Sequence, residues 1–333
     1  MLNHPIIFFK KLSSNGGPAS FQKKFIYWLK TKNIKYDFLN VTNIFKSKTI
    51  IINSGTFNLP LLLISIIFKT KLVQRLDGFY DFSNTGRNTR TLKCFCINII
   101  MQFIRKYLAD HIIYQSLTSK KLWDKYFNIV KTNYSIIHNP SFNVLSNLKT
   151  HSNQNKYFDI VIVEGNIEDN LFNDRLFEII YNISSKIKNI RNVYIFGNIH
   201  ETLKIKLLIK KKFIIKNIVS HNQLKRFYMK NNIIFFGIEF NSCCSNSIIE
   251  ANSFGIPSIT LNTGSYKELI KNSGIQINFK SINDKNLEKQ FLNSLFKIMK
   301  NYQKYNNRSY INARKFNPNL IFNHQFNYLV CNK

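Results

Sequence analysis

Short runs of β-branched and aromatic residues alternate with stretches of helical period along this chain, and the alternation stops once and then starts again. No other feature restricts the fold as much. Strands separated by helices pair in parallel, and a parallel sheet needs helices on both faces. In the first half, Ile6–Phe9, Tyr36–Val41, Thr49–Asn53, Lys71–Leu76 and His111–Gln115 read as strands. A Gly-Gly turn follows the first of them, Pro18 suits a first helical position, and Phe21, Phe25, Trp28 and Leu29 share one helical face. The pattern breaks over Asn139–Asn155, a polar stretch opened by His138-Asn139-Pro140. It resumes with strands at Asp159–Val163, Val193–Gly197, Asn232–Gly237, Ser258–Leu261 and Gly274–Phe279. Helices fit Leu171–Lys188, Asn222–Lys230, Ser247–Phe254 and Leu287–Tyr302. The expected class is α/β, with two Rossmann-like, doubly wound parallel-sheet domains facing a cleft. They cover residues 1–145 and 156–315, and residues 316–333 form a segment that packs back on the first domain.

The chain has 333 residues, 44% of them hydrophobic, enough for two cores. The longest oily run, Phe57–Phe68, is broken by Asn58, Pro60 and Ser65 and falls short of the ~20 residues that span a bilayer. No signal peptide is evident, so a soluble cytoplasmic protein is expected. Cys94, Cys96, Cys243, Cys244 and Cys331 match no zinc spacing, and the histidines are scattered. No protein-bound metal or cofactor is expected. The formal charge is +31. It reads either as attraction to a polyanion or as the Lys- and Asn-rich composition of A/T-rich codons. Basic stretches at Lys23–Lys35 and Lys204–Lys216 suit peripheral contact with an anionic membrane, or are solvated helix faces. Nucleic acid is the less favoured partner, because no RNA-binding motif or Arg-rich arm stands out.

Three segments can carry chemistry. Ser13-Ser14-Asn15-Gly16-Gly17-Pro18 lies between a strand and a helix, so Gly16 and Gly17 either bring the backbone close to a phosphate or make a tight turn. It is not G-x-G-x-x-G, and a nicotinamide dinucleotide is not implied. In Gln74-Arg75-Leu76-Asp77-Gly78, Arg75 and Asp77 end an apolar strand, either as site residues or as a salt bridge with a turn. Residues 241–268 are the densest. Ser245 or Asn246 can cap a helix whose first turn holds Glu250, a carboxylate able to accept two hydrogen bonds from a ribose diol. Gly255-Ile256-Pro257 ends that helix, and Asn262-Thr263-Gly264-Ser265 is a loop whose N–H groups can meet a sugar or diphosphate.

This segment resembles the donor-binding region of the retaining, GT-B glycosyltransferases of family 4. Their pattern is an acid, seven residues, a Glu-Ala pair, a small-residue helix, Gly-x-Pro, a strand and a Gly-Gly-x-x-Glu loop. Asn246, Glu250-Ala251, Gly255-Ile256-Pro257 and Gly264 to Glu268 stand in register with it. Further matches are Gly16-Gly17, Arg75-Leu76-Asp77-Gly78, the Ala109–Ser116 strand with Ser119 and Lys120, and Ser135–Pro140. Ser242 replaces the first acid, Ser265 the second loop glycine, and Asp77 takes the place of the family's catalytic-domain His. The basic pair that normally steadies the leaving diphosphate is replaced by an acidic loop, Glu164-Gly165-Asn166-Ile167-Glu168-Asp169.

The resemblance implies a polysaccharide- or surface-glycan-type enzyme that moves a sugar from a nucleotide-sugar to a glycan or lipid-linked acceptor with retention. Asp77 would be the catalytic residue; Gly16, Gly17, Ser242, Asn246, Glu250, Gly264 and Ser265 would bind the donor, with Arg75 and Glu268 in support. The rival readings are a nucleotide-sugar epimerase using the same cleft and a non-catalytic binding protein directed to membrane or nucleic acid.

Overall fold

The computed structural model describes residues 5–12, 17–46, 48–53, 58–78, 88–141, 157–230, 232–240 and 242–330, without the side chains of residues 46 and 88–93. The chain divides into two compact units, Met1–Pro140 with Pro318–Lys333, and Ser141–Asn317.

In the first unit, β1 (Ile6–Phe8), β2 (Tyr36–Phe38), β3 (Thr49–Ile52), β4 (Lys71–Leu76), β5 (His111–Tyr114) and β6 (Tyr134–Ile136) form one parallel sheet in the order β2-β1-β3-β4-β5-β6. Its helices are α1 (Gly17–Thr31), α2 (Leu59–Ile67), α3 (Asn88–Phe103), which runs into a π turn at Ile104–Leu108, and α4 (Leu117–Phe127). Side chains alternate across a strand, so Ile6 and Phe8 of β1 face one layer and Ile7 the other. On the first face, α1 buries Phe21, Phe25, Trp28 and Leu29, the stripe read from their spacing. On the second, Leu62 of α2 and Ile104 pack against Ile50, Ile52 and Leu72.

The C-terminal helix Pro318–Val330 belongs to this unit. Phe322 stacks on Phe25 at 5.1 Å, and Trp28 Nε1 donates to Asn319 Oδ1 at 3.1 Å. Thr49 Oγ1 and Lys71 Nζ donate to the carbonyls of Leu329 and Tyr328.

The second unit is another six-stranded parallel sheet, with β7 (Phe158–Ile167), β8 (Ile190–Ile199), β9 (Phe213–Lys216), β10 (Ile233–Gly237), β11 (Ser258–Leu261) and β12 (Gly274–Ile277) in the order β12-β11-β10-β7-β8-β9. Counted from its own first strand this is 3-2-1-4-5-6, the Rossmann order. Around it lie α5 (Leu171–Lys186), α6 (Glu201–Leu208), α7 (His221–Tyr228), α8 (Asn246–Ser253), α9 (Tyr266–Ile270), α10 (Leu287–Lys300) and α11 (Tyr302–Ala313). The expected α/β class and paired doubly wound sheets are therefore present.

Several boundaries differ from the sequence reading. The acidic stretch expected as a loop after Val163 continues as strand to Ile167, because a bulge between Val163 and Asn166 resumes the ladder at Asn166–Asn198. Gly197, at φ +152°, permits this, since a Cβ there would lie 2.2 Å from the Glu164 carbonyl oxygen. The single helix expected over Leu287–Tyr302 is two, broken at Asn301. Tyr302 is held aside by its hydroxyl, which accepts from Ile233 N at 3.1 Å and donates to Ile233 O at 3.0 Å. The strands β6 and β9, of three and four residues, are too short to show a period.

Candidate functional site

Ligands of open α/β sheets bind beyond the strand carboxyl ends at the point where the strand order reverses. In the second unit that point lies between β7 and β10. The β7–β10 register sets Ile233 beside Asp159 and Phe235 beside Val161, which carries Glu164, in the bulge of β7, close to Glu239, just past the end of β10. Burial lifts the Glu164 carboxyl well above the ordinary carboxylate range, and the charge of Glu239 lifts it further. Glu239 keeps exposed surface, yet crowding by protein atoms also raises it, opposed by a hydrogen bond from Ser242.

The chain beyond β10 is held from below. Tyr266 is fully buried, and its hydroxyl accepts from Glu239 N at 3.1 Å. Gly237 makes room for it, since a Cβ there would meet the Tyr266 ring at 3.0 Å and Thr260 Cγ2 at 2.7 Å. Ser242, also buried, accepts from the Ser265 backbone N–H at 2.7 Å, so these two predicted positions are brought together. Gly264 precedes Ser265 with φ +57°, a left-handed turn that glycine adopts without strain. Glu268, half-buried, lies in the first turn of α9.

Helix α8 starts at Asn246 with Ser245 as its cap residue. Ser245 Oγ makes no capping bond; it pairs with Ser247 Oγ at 2.9 Å. Because the helix begins at Asn246, Glu250 lies in its second turn and not its first, which takes it away from the strongest part of the helix dipole. Asn246 and Glu250 are one turn apart and share a face. Glu250 is only 5% exposed. It and Glu164 both act on Tyr228, whose phenol is raised well above its usual range, first by burial and then by these two carboxylates.

The hydroxyls of Tyr228, Thr263 and Ser265 and one oxygen of Glu164 are buried without a hydrogen-bond partner in the protein. Leaving such groups unpaired costs roughly 1–3 kcal/mol each; of the four, Tyr228 and Glu164 lie within electrostatic range of each other. Glu239, Tyr228 and Tyr266 were not foreseen. Tyr228 is one more apolar position in the period of α7, and Tyr266 reads as the start of a short helix. Only Glu239, an acid just past an apolar strand, carries a readable signal.

The first unit reverses its strand order between β1 and β3. Gly16 lies outside the described residues, and Gly17 is the first residue of α1. Buried Gln22 fixes the connection, accepting from Leu12 N at 2.8 Å and donating to Lys10 O at 2.9 Å. Asp77 follows β4, its carbonyl accepting from Ser119 Oγ and Trp123 Nε1, both at 2.9 Å. Burial raises its carboxyl from 3.8 to about 7, against the pull of Arg75. Arg75 points into the core. It donates to Ile137 O, Asn139 Oδ1 and Gln325 Oε1 and lies 3.8 Å over the Phe21 ring. It stitches the C-terminal helix to the sheet and acts on Asp77 through its charge.

Among the described residues there is no group of three or more His, Cys, Asp or Glu able to hold a metal ion. No helix among them is long and apolar enough to cross a membrane.

No protein-family model matches the chain. No curated protein matches it in sequence. Solved structures do match it in fold. Anabaena HepE in complex with UDP superposes with a TM-score of 0.69 at 12% identity, covering 98% of this chain and 99% of that one. Sucrose-phosphate synthase from Thermosynechococcus elongatus gives 0.68 at 11%, covering 98% of both. The pneumococcal O-GlcNAc transferase GtfA gives 0.61 at 12%; 91% of this chain matches it but spans only 58% of its length. These are GT-B glycosyltransferases, and the shared architecture is theirs.

Proposed function

We propose that this chain is a glycosyltransferase that moves a sugar from a nucleotide-diphosphate-sugar to a glycan or lipid-linked acceptor in the cytoplasm, with retention of configuration. The observation that carries this reading is buried Glu250 on the helix that follows β10 in a Rossmann sheet, acting together with Glu164 on the unpartnered hydroxyl of Tyr228. The bound UDP of the similar Anabaena structure makes a uridine donor the first to try.

In this reading Glu250 accepts both ribose hydroxyls, with Asn246 a turn away. The left-handed turn at Gly264, tied down by the Ser265 N–H on the Ser242 carbonyl, brings backbone toward the phosphate oxygens. Ser242 presents Glu239, which supplies the carboxylate for the transferred sugar's hydroxyls. Glu268 supports the loop. Breaking the sugar–phosphate bond leaves positive charge on the sugar and negative charge on the diphosphate. A leaving phosphate oxygen takes the acceptor proton, and no metal is required in this scheme. Asp77, with a carboxyl poised near neutrality, orients an acceptor or donor hydroxyl.

Thermal unfolding with UDP, GDP, ADP, TDP and CMP tests the site. A nucleotide at ~100 times its dissociation constant stabilises by about 2.7 kcal/mol. One nucleotide should shift the wild type and leave Glu250→Ala unmoved; a flat response to all five would sink the reading. The Glu164–Glu239 pair, standing where cations usually meet the diphosphate, favours a second reading, a donor-binding protein without turnover. Binding of UDP-sugar with no release of UDP over any acceptor would single it out.

A further inference from the structure

Helix α2, Leu-Pro-Leu-Leu-Leu-Ile-Ser-Ile-Ile, is apolar on every side, yet only Leu62 and Ser65 are buried. A helix apolar all round normally lies inside a protein. Here Leu63, Ile64, Ile66 and Phe68 are exposed, and Ile67 keeps 75% of its surface. Phe68 meets the ring of Phe45 at 4.6 Å, edge to face, and Phe45 is itself 60% exposed. Next to α2, over the same face of the sheet, α3 and the π turn add exposed Phe95, Ile99, Phe103 and Tyr107. So many large apolar groups on one side mark an interaction surface.

Its charge says what covers it. No Asp or Glu occurs between Asp37 and Asp77, or between Asp81 and Asp110, the stretches that build this face. Exposed Lys48 and Lys69 stand beside Phe45 and Phe68, and Lys106 lies over the Tyr107 ring at 4.8 Å. A second copy is a poor occupant, since a two-fold contact would set each lysine rim against itself on a chain of charge +31. The lysine-bearing stretch Lys204–Lys216 is the weaker candidate: Lys206 is engaged by Asp169 and Asp174, Lys204 by Glu201, and Lys212 by the Ile190 carbonyl.

We propose that the α2–α3 face of the first unit docks on the surface of an anionic lipid bilayer, with Ile67 and Phe68 entering the acyl boundary and Lys48, Lys69 and Lys106 meeting lipid phosphates. This inference does not depend on the donor chemistry. With no described helix able to span the bilayer, the chain lies on it.

The test is flotation of the full chain with phosphatidylcholine vesicles, with and without phosphatidylglycerol, at low and high salt. Binding is expected only with phosphatidylglycerol and weakens with salt. The double variant Ile67→Glu, Phe68→Glu should bind at least about tenfold more weakly, equivalent to about 1.4 kcal/mol. Lys48→Gln with Lys69→Asn should lose the phosphatidylglycerol dependence. All these positions are exposed, and an unchanged melting temperature shows that the variants remain folded. Three outcomes overturn the proposal: flotation absent in the wild type, flotation unchanged in the Ile67, Phe68 variant, or light scattering that shows a wild-type dimer made monomeric by that variant.

Discussion

Asp77 and Tyr228 each carry an ionisable group whose charged form burial disfavours. The Asp77 carboxyl is raised from 3.8 to about 7, mainly by burial. Its charged form is thus disfavoured in the folded state, so the stability linked to this group is complete below pH 4 and is lost as pH rises to about 7. Asp77→Asn should therefore melt like the wild type near pH 4 and above it at pH 8; a variant that melts lower at pH 8 would contradict the burial argument. If Asp77 orients a hydroxyl, the same variant also loses turnover. Tyr228 buries a hydroxyl with no partner. Tyr228→Phe should be neutral or stabilising by up to about 1 kcal/mol in urea, while its UDP-induced melting shift shrinks. Loss of stability with an undiminished shift would make the hydroxyl structural. At this scale Asp77 stood out in the sequence as a candidate because it closes an apolar strand, and Glu250 because of the Gly-Ile-Pro that follows it, although its place in the helix was read one turn too early. Tyr228 was not, because a tyrosine at a helical core spacing looks like any other core aromatic.

Elements depend on contacts distant in sequence. Gly255 ends α8 at φ +74°, and a Cβ there would lie 2.2 Å from the Tyr310 ring and 2.6 Å from Asn306 Nδ2. Gly255→Ala combines strain with a clash and should cost more than about 1 kcal/mol, read from the midpoint of denaturant unfolding. Phe322 of the C-terminal helix is 1% exposed and touches Phe21, Phe25 and Trp28. Phe322→Ala should cost about 3–5 kcal/mol, with hydrogen exchange rising first in α1 and β3; protection unchanged there would show that the helix is not integral to the first unit. The Gly255-Ile256-Pro257 stop was readable because glycine takes the left-handed turn that ends a helix and proline cannot continue one. The bulge in β7 and the break at Asn301 were not, since the Gly197–Glu164 approach and the Tyr302–Ile233 bonds form only after folding.

For the whole molecule, 48 basic against 17 acidic residues means that compaction works against repulsion. Raising NaCl from ~0.02 to ~0.3 M shortens the screening length severalfold and should raise the melting temperature, although exposed pairs such as Lys186–Glu288 weaken; they contribute about 0–1 kcal/mol each. A melting temperature that falls steadily with salt would mean that ion pairs outweigh the repulsion. By itself the sequence determined the alternation of elements, the break between two similar halves and the main core stripes, because period and turn chemistry are properties of neighbouring residues. It also singled out Glu250 and the glycines that follow it as candidates. Tertiary structure alone decided the strand order, the face left apolar at α2, and the meeting of Glu164, Glu239 and Tyr228. Those depend on which strands pair and which helices cover them, and that is settled only when the buried faces find one another.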